Sequence, residues 1–281
     1  MTIRTVTSGV DTTTGPLTAG YLRQVGSLVR RNLIHIKRMP EMLMDVTVQP
    51  IMFVLLFAYV FGGSIVTGTP GGYRAWLLPG IMGQTMAFAS FIVAVGLTSD
   101  LDKGIIDRFR SLPINGSAVL VARSVSSLIH SSIGIVVMSL TGLIVGWRIH
   151  DGIAHAVLAY LLFLLWGFAM IWIGIFVGSK MKSVEAVNGL MFTVMFPVTF
   201  LANTFALPDK MPPWLRVIAE WNPMSALVQA TRQLWGNDFG VPRDAQWPLH
   251  HPIPVSIGWS LVIALIFAPL ALRAFRKRTE E

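Results

Sequence analysis

Cysteine is absent from the 281 residues. Without a thiol there is no disulfide framework, no thiolate metal site and no cysteine nucleophile. Charge is scarce as well: Asp, Glu, Lys and Arg make up 13% of the chain, against about 25% in an ordinary soluble domain. Acids are the rarer sign, 14 against 22 basic residues. Signatures of catalysis are missing too. No G-x-x-x-x-G-K-[ST] occurs, so the chain builds no phosphate-cradling loop for ATP. No H-E-x-x-H occurs either, and no G-x-S-x-G has a partner His, which weighs against an intramembrane enzyme. No cleavable leader is expected, because the first 45 residues hold six basic residues and no early apolar core.

What fills the space is apolar: 53% of residues are hydrophobic. The net charge of +8 would suit nucleic acid, but a nucleic-acid-binding domain has no use for several apolar runs of spanning length. A membrane-crossing helix needs about 20 mostly apolar residues. Six runs qualify, at 46–66, 76–98, 116–146, 153–178, 187–206 and 254–273. The expected fold class is an all-α integral membrane protein with six transmembrane helices. Pro50, Pro79 and Pro197 lie inside these runs, where membrane helices tolerate them.

Sidedness follows from the cations. With the amino terminus inside, 16 Lys and Arg fall on the inner segments. Only Arg74, Arg148, Lys210, Arg216, Arg232 and Arg243 fall on the outer ones. That bias places both termini in the cytoplasm.

Residues 1–19, rich in Thr, Ser and Gly, read as a disordered tail. In the next segment, 20–40, Leu22, Val25, Val29, Leu33 and Ile36 recur at helical spacing with Arg and Lys around them. This predicts an amphipathic helix lying against lipid headgroups. The chain from 41 to 275 holds the spans, and 276–281 reads as a second cytoplasmic tail.

Between the second and third spans stands DLDKGIIDRFRSLPI, Asp100 to Ile114, with six charges. Ile105, Ile106, Phe109 and Leu112 share a helical face and Pro113 stops the helix. Such a segment either docks in a groove of a soluble protein or is a tight turn whose charges mark the cytoplasmic side. Periodicity alone leaves both open.

Residues 207–253 form an outer segment too long to be idle. Trp214 to Trp221 is a short amphipathic piece, and Asn222-Pro223 opens a second helix. Trp214, Trp221 and Trp235 suit the headgroup region. His250 and His251 lack a third ligand nearby, so no metal site is expected. Within the spans, His130 in the long third run is either a transport group or a hydrogen-bonded core histidine. Asp45, Gln49, Phe53 and Phe57 on the first span are candidates for a dimer seam or substrate path.

Three stretches resemble the permeases of ATP-binding-cassette exporters of the type-2 superfamily, and most closely the daunorubicin/doxorubicin-resistance permeases of actinobacteria. They are VQPIMFVLLFAYVFGGSI (Val48 to Ile65), DLDKGIIDRFRSLPI, and the long run from Met181 to Gly236. The resemblance implies that residues 100–113 couple to a separate ATPase. Asp100, Asp102, Gly104, Ile105, Arg108, Phe109, Arg110 and Pro113 would carry the contact, with Glu185 on the second cytoplasmic link. It implies short outer re-entrant helices between the fifth and sixth spans that form an outer gate over 208–236, with Trp214, Trp221, Asn222, Pro223 and Trp235. It also implies two ATPase copies and a second permease copy, identical or paralogous. ATP and Mg would sit on the ATPase, with no cofactor on this chain. The expected function is export of an amphiphilic drug, antibiotic or lipid across a bacterial inner membrane, with a polysaccharide or lipid-linked glycan as the alternative cargo. A stand-alone pore would leave the segment at 100–113 without a partner.

Overall fold

A computed structural model describes residues 17–38, 40–61, 72–104, 116–205, 211–238 and 240–280. All regular structure among them is helical: α1 Leu17–Arg38, α2 Pro40–Leu56, α3 Gly72–Asp102, α4 Gly116–Ile144, α5 Gly152–Lys180, α6 Val184–Phe200, α7 Pro213–Trp221, α8 Pro223–Leu234, α9 Trp247–His250 and α10 Pro252–Glu280. A wider π turn over Phe57–Phe61 prolongs α2.

Five helices, α2 to α5 and α10, are long and apolar enough to cross a membrane. The sixth expected span, 187–206, is realised as α6, whose 17 residues lie at the short edge of the spanning range. Its chain leaves the helix after Phe200 and turns through 201–205. Two other boundaries move. Helix α1 begins at Leu17, inside the expected amino-terminal tail. Helix α10 runs through the expected carboxyl-terminal tail to Glu280. Residues Leu270 to Glu280 contain no Gly or Pro, so nothing stops the helix where hydropathy falls.

The centre of the bundle is the pair α3 and α5. They run parallel, since Trp166 Nε1 donates to the Gly83 carbonyl at 3.3 Å while Thr98 Oγ1 donates to the Gly178 carbonyl at 3.0 Å. Lipid tails are as apolar as leucine, so helices in a bilayer gain by close backbone packing rather than by escape from water. Gly174 and Gly178 supply that closeness. A Cβ on Gly174 would collide with the Ser90 backbone, and one on Gly178 would stand 2.7 Å from the Ala94 carbonyl oxygen. Small residues on α3, Ala87, Ser90 and Ala94, meet them and are buried.

Around this pair the other helices are layered. Helix α4 runs antiparallel to α3, with Leu78 beside Gly142 and Thr85 beside Gly134. One stripe of α4 docks α1 and α2. Ala118 and Ala122 pack on Leu28, Asn32 donates to Ser126 at 3.3 Å, and Gly134 faces Val46. Helix α10 lies along α5, and Phe176 meets Phe267 edge to face at 5.6 Å. Helix α8 is enclosed by α3, α5 and α10, and every residue from Met224 to Arg232 is buried.

Candidate functional site

Two constructions stand at opposite ends of the bundle. At the end where α3 finishes, the helix terminates on Gly104, whose φ of +64° is the left-handed conformation that favours glycine. The two acids before it are engaged within the chain. Asp100 pairs with Arg123 of α4, whose guanidinium lies over Gly96 where a Cβ would collide. Asp102 accepts from Arg278 of α10 at 3.3 Å. Arg278 also donates to the carbonyls of Met181 and Gly178, the latter at 3.4 Å. One guanidinium thus touches the end of α3, the end of α5 and the link toward α6.

Asp102, 39% exposed, is thus held by a cation of its own chain. Ile105, Arg108, Phe109, Arg110 and Pro113 lie outside the described residues. On the second link, Ser183 is the helix cap, its hydroxyl accepting from Ala186 N at 3.2 Å, and Glu185 is exposed in the first turn of α6.

At the other end, Asn222 caps α8 by accepting from Met224 N at 2.9 Å, and Pro223 is its first residue. The Asn222 amide donates to the Val198 carbonyl at 2.7 Å, binding α8 to α6. Trp214 and Trp221 are exposed, in keeping with an interfacial setting. Trp235 is not: it is fully buried and packs on Trp147 at 4.9 Å, Tyr160 at 5.4 Å and Phe163 at 5.6 Å. The expectation of a headgroup position fails there because Trp235 follows α8 into the enclosed core. On α7, Arg216 donates to Glu220 at 2.6 Å and to Asp244 at 2.7 Å, while Glu220 accepts from Gln246 N at 2.8 Å. The hydrogen bond from Arg216 holds the exposed Asp244 carboxyl below the ordinary carboxylate range.

Arg232, assigned by position to an outer loop, is instead 1% exposed. Its Nε donates to the Trp76 carbonyl at 2.8 Å and its Nη2 to the Asn203 carbonyl at 2.9 Å. The guanidinium lies 3.9 Å from the centre of the Trp76 ring, the cation over a π face that offsets part of its desolvation. Arg74 acts alike: it donates to the Ala58 and Val145 carbonyls at 3.3 and 2.9 Å and lies over Tyr59. Arg74 thus serves the Val145 carbonyl just past the end of α4, and Arg232 the Asn203 carbonyl in the turn after α6.

Asp45 and Gln49 are exposed on α2, and Phe53 is partly so. Phe53 stacks on Phe57, Phe57 on Phe205, Phe205 on Phe200 and Phe200 on Phe196, with centroids 4.2 to 6.0 Å apart. His130 is buried on the α4 stripe between Ser126 and Gly134. In the sequence, Arg74, Arg123, Arg232 and Arg278 stand out only as cations that bear on sidedness. A signal for Arg74 and Arg232 is available, however: a lone cation beside tryptophan at the end of an apolar run. Gly174-x-x-x-Gly178 is likewise visible as small residues one turn apart in an apolar helix.

The amino-acid sequence has recognisable relatives. The chain is 30% identical over 248 residues to the daunorubicin resistance ABC transporter permease protein of Streptomyces coeruleorubidus, covering 88% of this chain and 84% of that one. It is 24% identical over 226 residues to the doxorubicin resistance ABC transporter permease protein of Mycobacterium tuberculosis, covering 78% and 77%. Residues 23–235, from the first helix through the enclosed α8 to Trp235, match the ABC-2 type transporter family. A match over this length shows a multi-pass membrane protein that serves transport, and it is to the ABC-2 type transporter family that the chain belongs.

Proposed function

We propose that the chain is the membrane half of an exporter driven by a separate cassette ATPase, with amphiphilic compounds as its cargo. In this reading two permease copies stand over two ATPase subunits, which hold ATP and Mg. Residues 100–113 receive the ATPase on the cytoplasmic side, and α7 with α8 close the pathway outside. Cytoplasmic termini and a bacterial inner membrane belong to the same reading. The observation that carries it is the end of α3. A spanning helix is fastened through Asp100 and Asp102 to α4 and α10 and ends at Gly104, just where the sequence carries the charged stretch up to Pro113. Fastening of this kind lets a push on the segment act on three helices rather than on a loose loop. The names of the two drug-resistance permeases support the cargo class, as do the aromatic and methionine side chains along the first and second spans, which adapt to varied apolar shapes.

The absence of native cysteine makes the test direct. Single substitutions Ile105→Cys, Arg108→Cys and, as control, Ile153→Cys are introduced and the chain is co-expressed with a cassette ATPase. Ile153 is 85% exposed at the opposite end of the bundle. Disulfide or short-linker crosslinks to the ATPase at the first two positions, and none at the third, are the expected result. Folded protein with a verified ATPase and no crosslink at either position would count against the exporter reading.

A further inference from the structure

Helix α10 packs against the enclosed helix α8 and, through its last turn, reaches the end of α3. Its grip at that end is one side chain. Arg278 places one nitrogen against Asp102, two residues before the turn at Gly104, and another against the carbonyls of Gly178 and Met181 where α5 ends. The three acceptors lie on two separate stretches of chain, the Asp102 carboxylate at the end of α3 and two carbonyls at the end of α5. A planar guanidinium with five donors satisfies them together, whereas the ammonium of lysine is a point charge without that fork. Asp102 is about two-fifths exposed and Arg278 about one quarter, so the pair contributes little to global stability. What it fixes is geometry: the start of the charged segment is held in register with the second link and with α10.

We propose that Arg278 is a positioning residue for ATP coupling, joining α10 to both cytoplasmic links so that movement of the docking segment reaches α8 and α7 at the far end. The proposal rests on the exporter reading above. It goes beyond that reading by naming one side chain, Arg278, and the carboxyl-terminal helix as a route of transmission between the two ends.

The test uses the full chain with its ATPase in membranes and a reporter Trp221→Cys, which is 48% exposed on α7. The quantity read is the ATP-dependent change in labelling of that cysteine by an external maleimide, beside co-purification of the ATPase and its hydrolysis rate. With Arg278→Ala we expect assembly and hydrolysis to persist while the labelling change shrinks roughly threefold or more. Arg278→Lys and Asp102→Asn should shrink it less, and they decide the matter if the alanine variant does not fold. A full labelling change in assembled Arg278→Ala overturns the proposal. Loss of ATPase assembly in all three variants also overturns it, since Arg278 would then serve structure alone. If the unsubstituted chain fails to co-purify with the ATPase, or shows no ATP-dependent labelling change at Trp221→Cys, the exporter and gate reading fails instead.

Discussion

Arg232 shows how a residue's meaning depends on what surrounds it. By position it counts as one of six outer cations; by packing it is an interior strut between α8, α3 and the turn after α6. Its hydrogen bonds go to the Trp76 and Asn203 carbonyls, so removal costs twice, in lost packing and in two buried hydrogen bonds from a charged donor. We expect Arg232→Ala to destabilise the purified protein by about 2–4 kcal/mol. Arg232→Lys should recover part of the loss, because lysine keeps the charge but not the fork. Thermal unfolding in detergent measures both, and an alanine variant as stable as the unsubstituted chain would refute this account. The acids before Gly104 illustrate the reverse limit. Their presence was legible in the sequence, but partners 23 and 176 residues away were not, because an acid at a helix end has no periodicity pointing to a distant cation.

Among the helices, legibility tracked hydropathy. The apolar runs forecast α2 to α5 and α10, and the Asn222-Pro223 pair forecast the start of α8, since capping is local chemistry. Helix α8 itself was legible as amphipathic but not as enclosed. Its polar face, with Ser225, Gln229 and Arg232, looks suited to water, and only the neighbouring helices bury it. The contact of α3 with α5 depends on glycine at two positions and so gives a sharp comparison. Gly174→Ala should push the helices apart and lower stability by about 1–3 kcal/mol or more, as overpacking does. Gly189→Ala on α6 meets nothing within 4 Å and should be neutral or slightly stabilising, because alanine loses less backbone freedom in a helix. Equal effects of the two substitutions in an unfolding measurement would show that the close approach is not what holds α3 to α5.

Taken as one molecule, the bundle is unevenly covered. In the apolar windows of α3 and α5, 67% of residues are buried within the chain, but only 22% in those of α2 and α10. Much of the exposed surface of α10 is aliphatic and suits lipid. That of α2 and α6 differs, because Gln49 and Thr193 are exposed on the same elements as the phenylalanine row. Polar and ionisable groups at membrane depth are costly against lipid tails and favour protein or water as neighbours. A second permease copy on the α2 and α6 side is therefore expected. Phe196→Cys, at 51% exposure, should form a disulfide-linked dimer in membranes under mild oxidation, and Leu265→Cys on α10, at 73%, should not. Dimer at the α10 position alone would place the seam on the other side. Composition and the order of apolar runs by themselves determined that the chain is an all-helical membrane protein and where most of its spans lie, because transfer into hydrocarbon depends on local sequence over about one helix length. Tertiary structure alone decided which cations are internal struts, which glycines carry the central contact and which helix is swallowed by the others, because those depend on which distant side chains come within a few ångströms once the bundle closes.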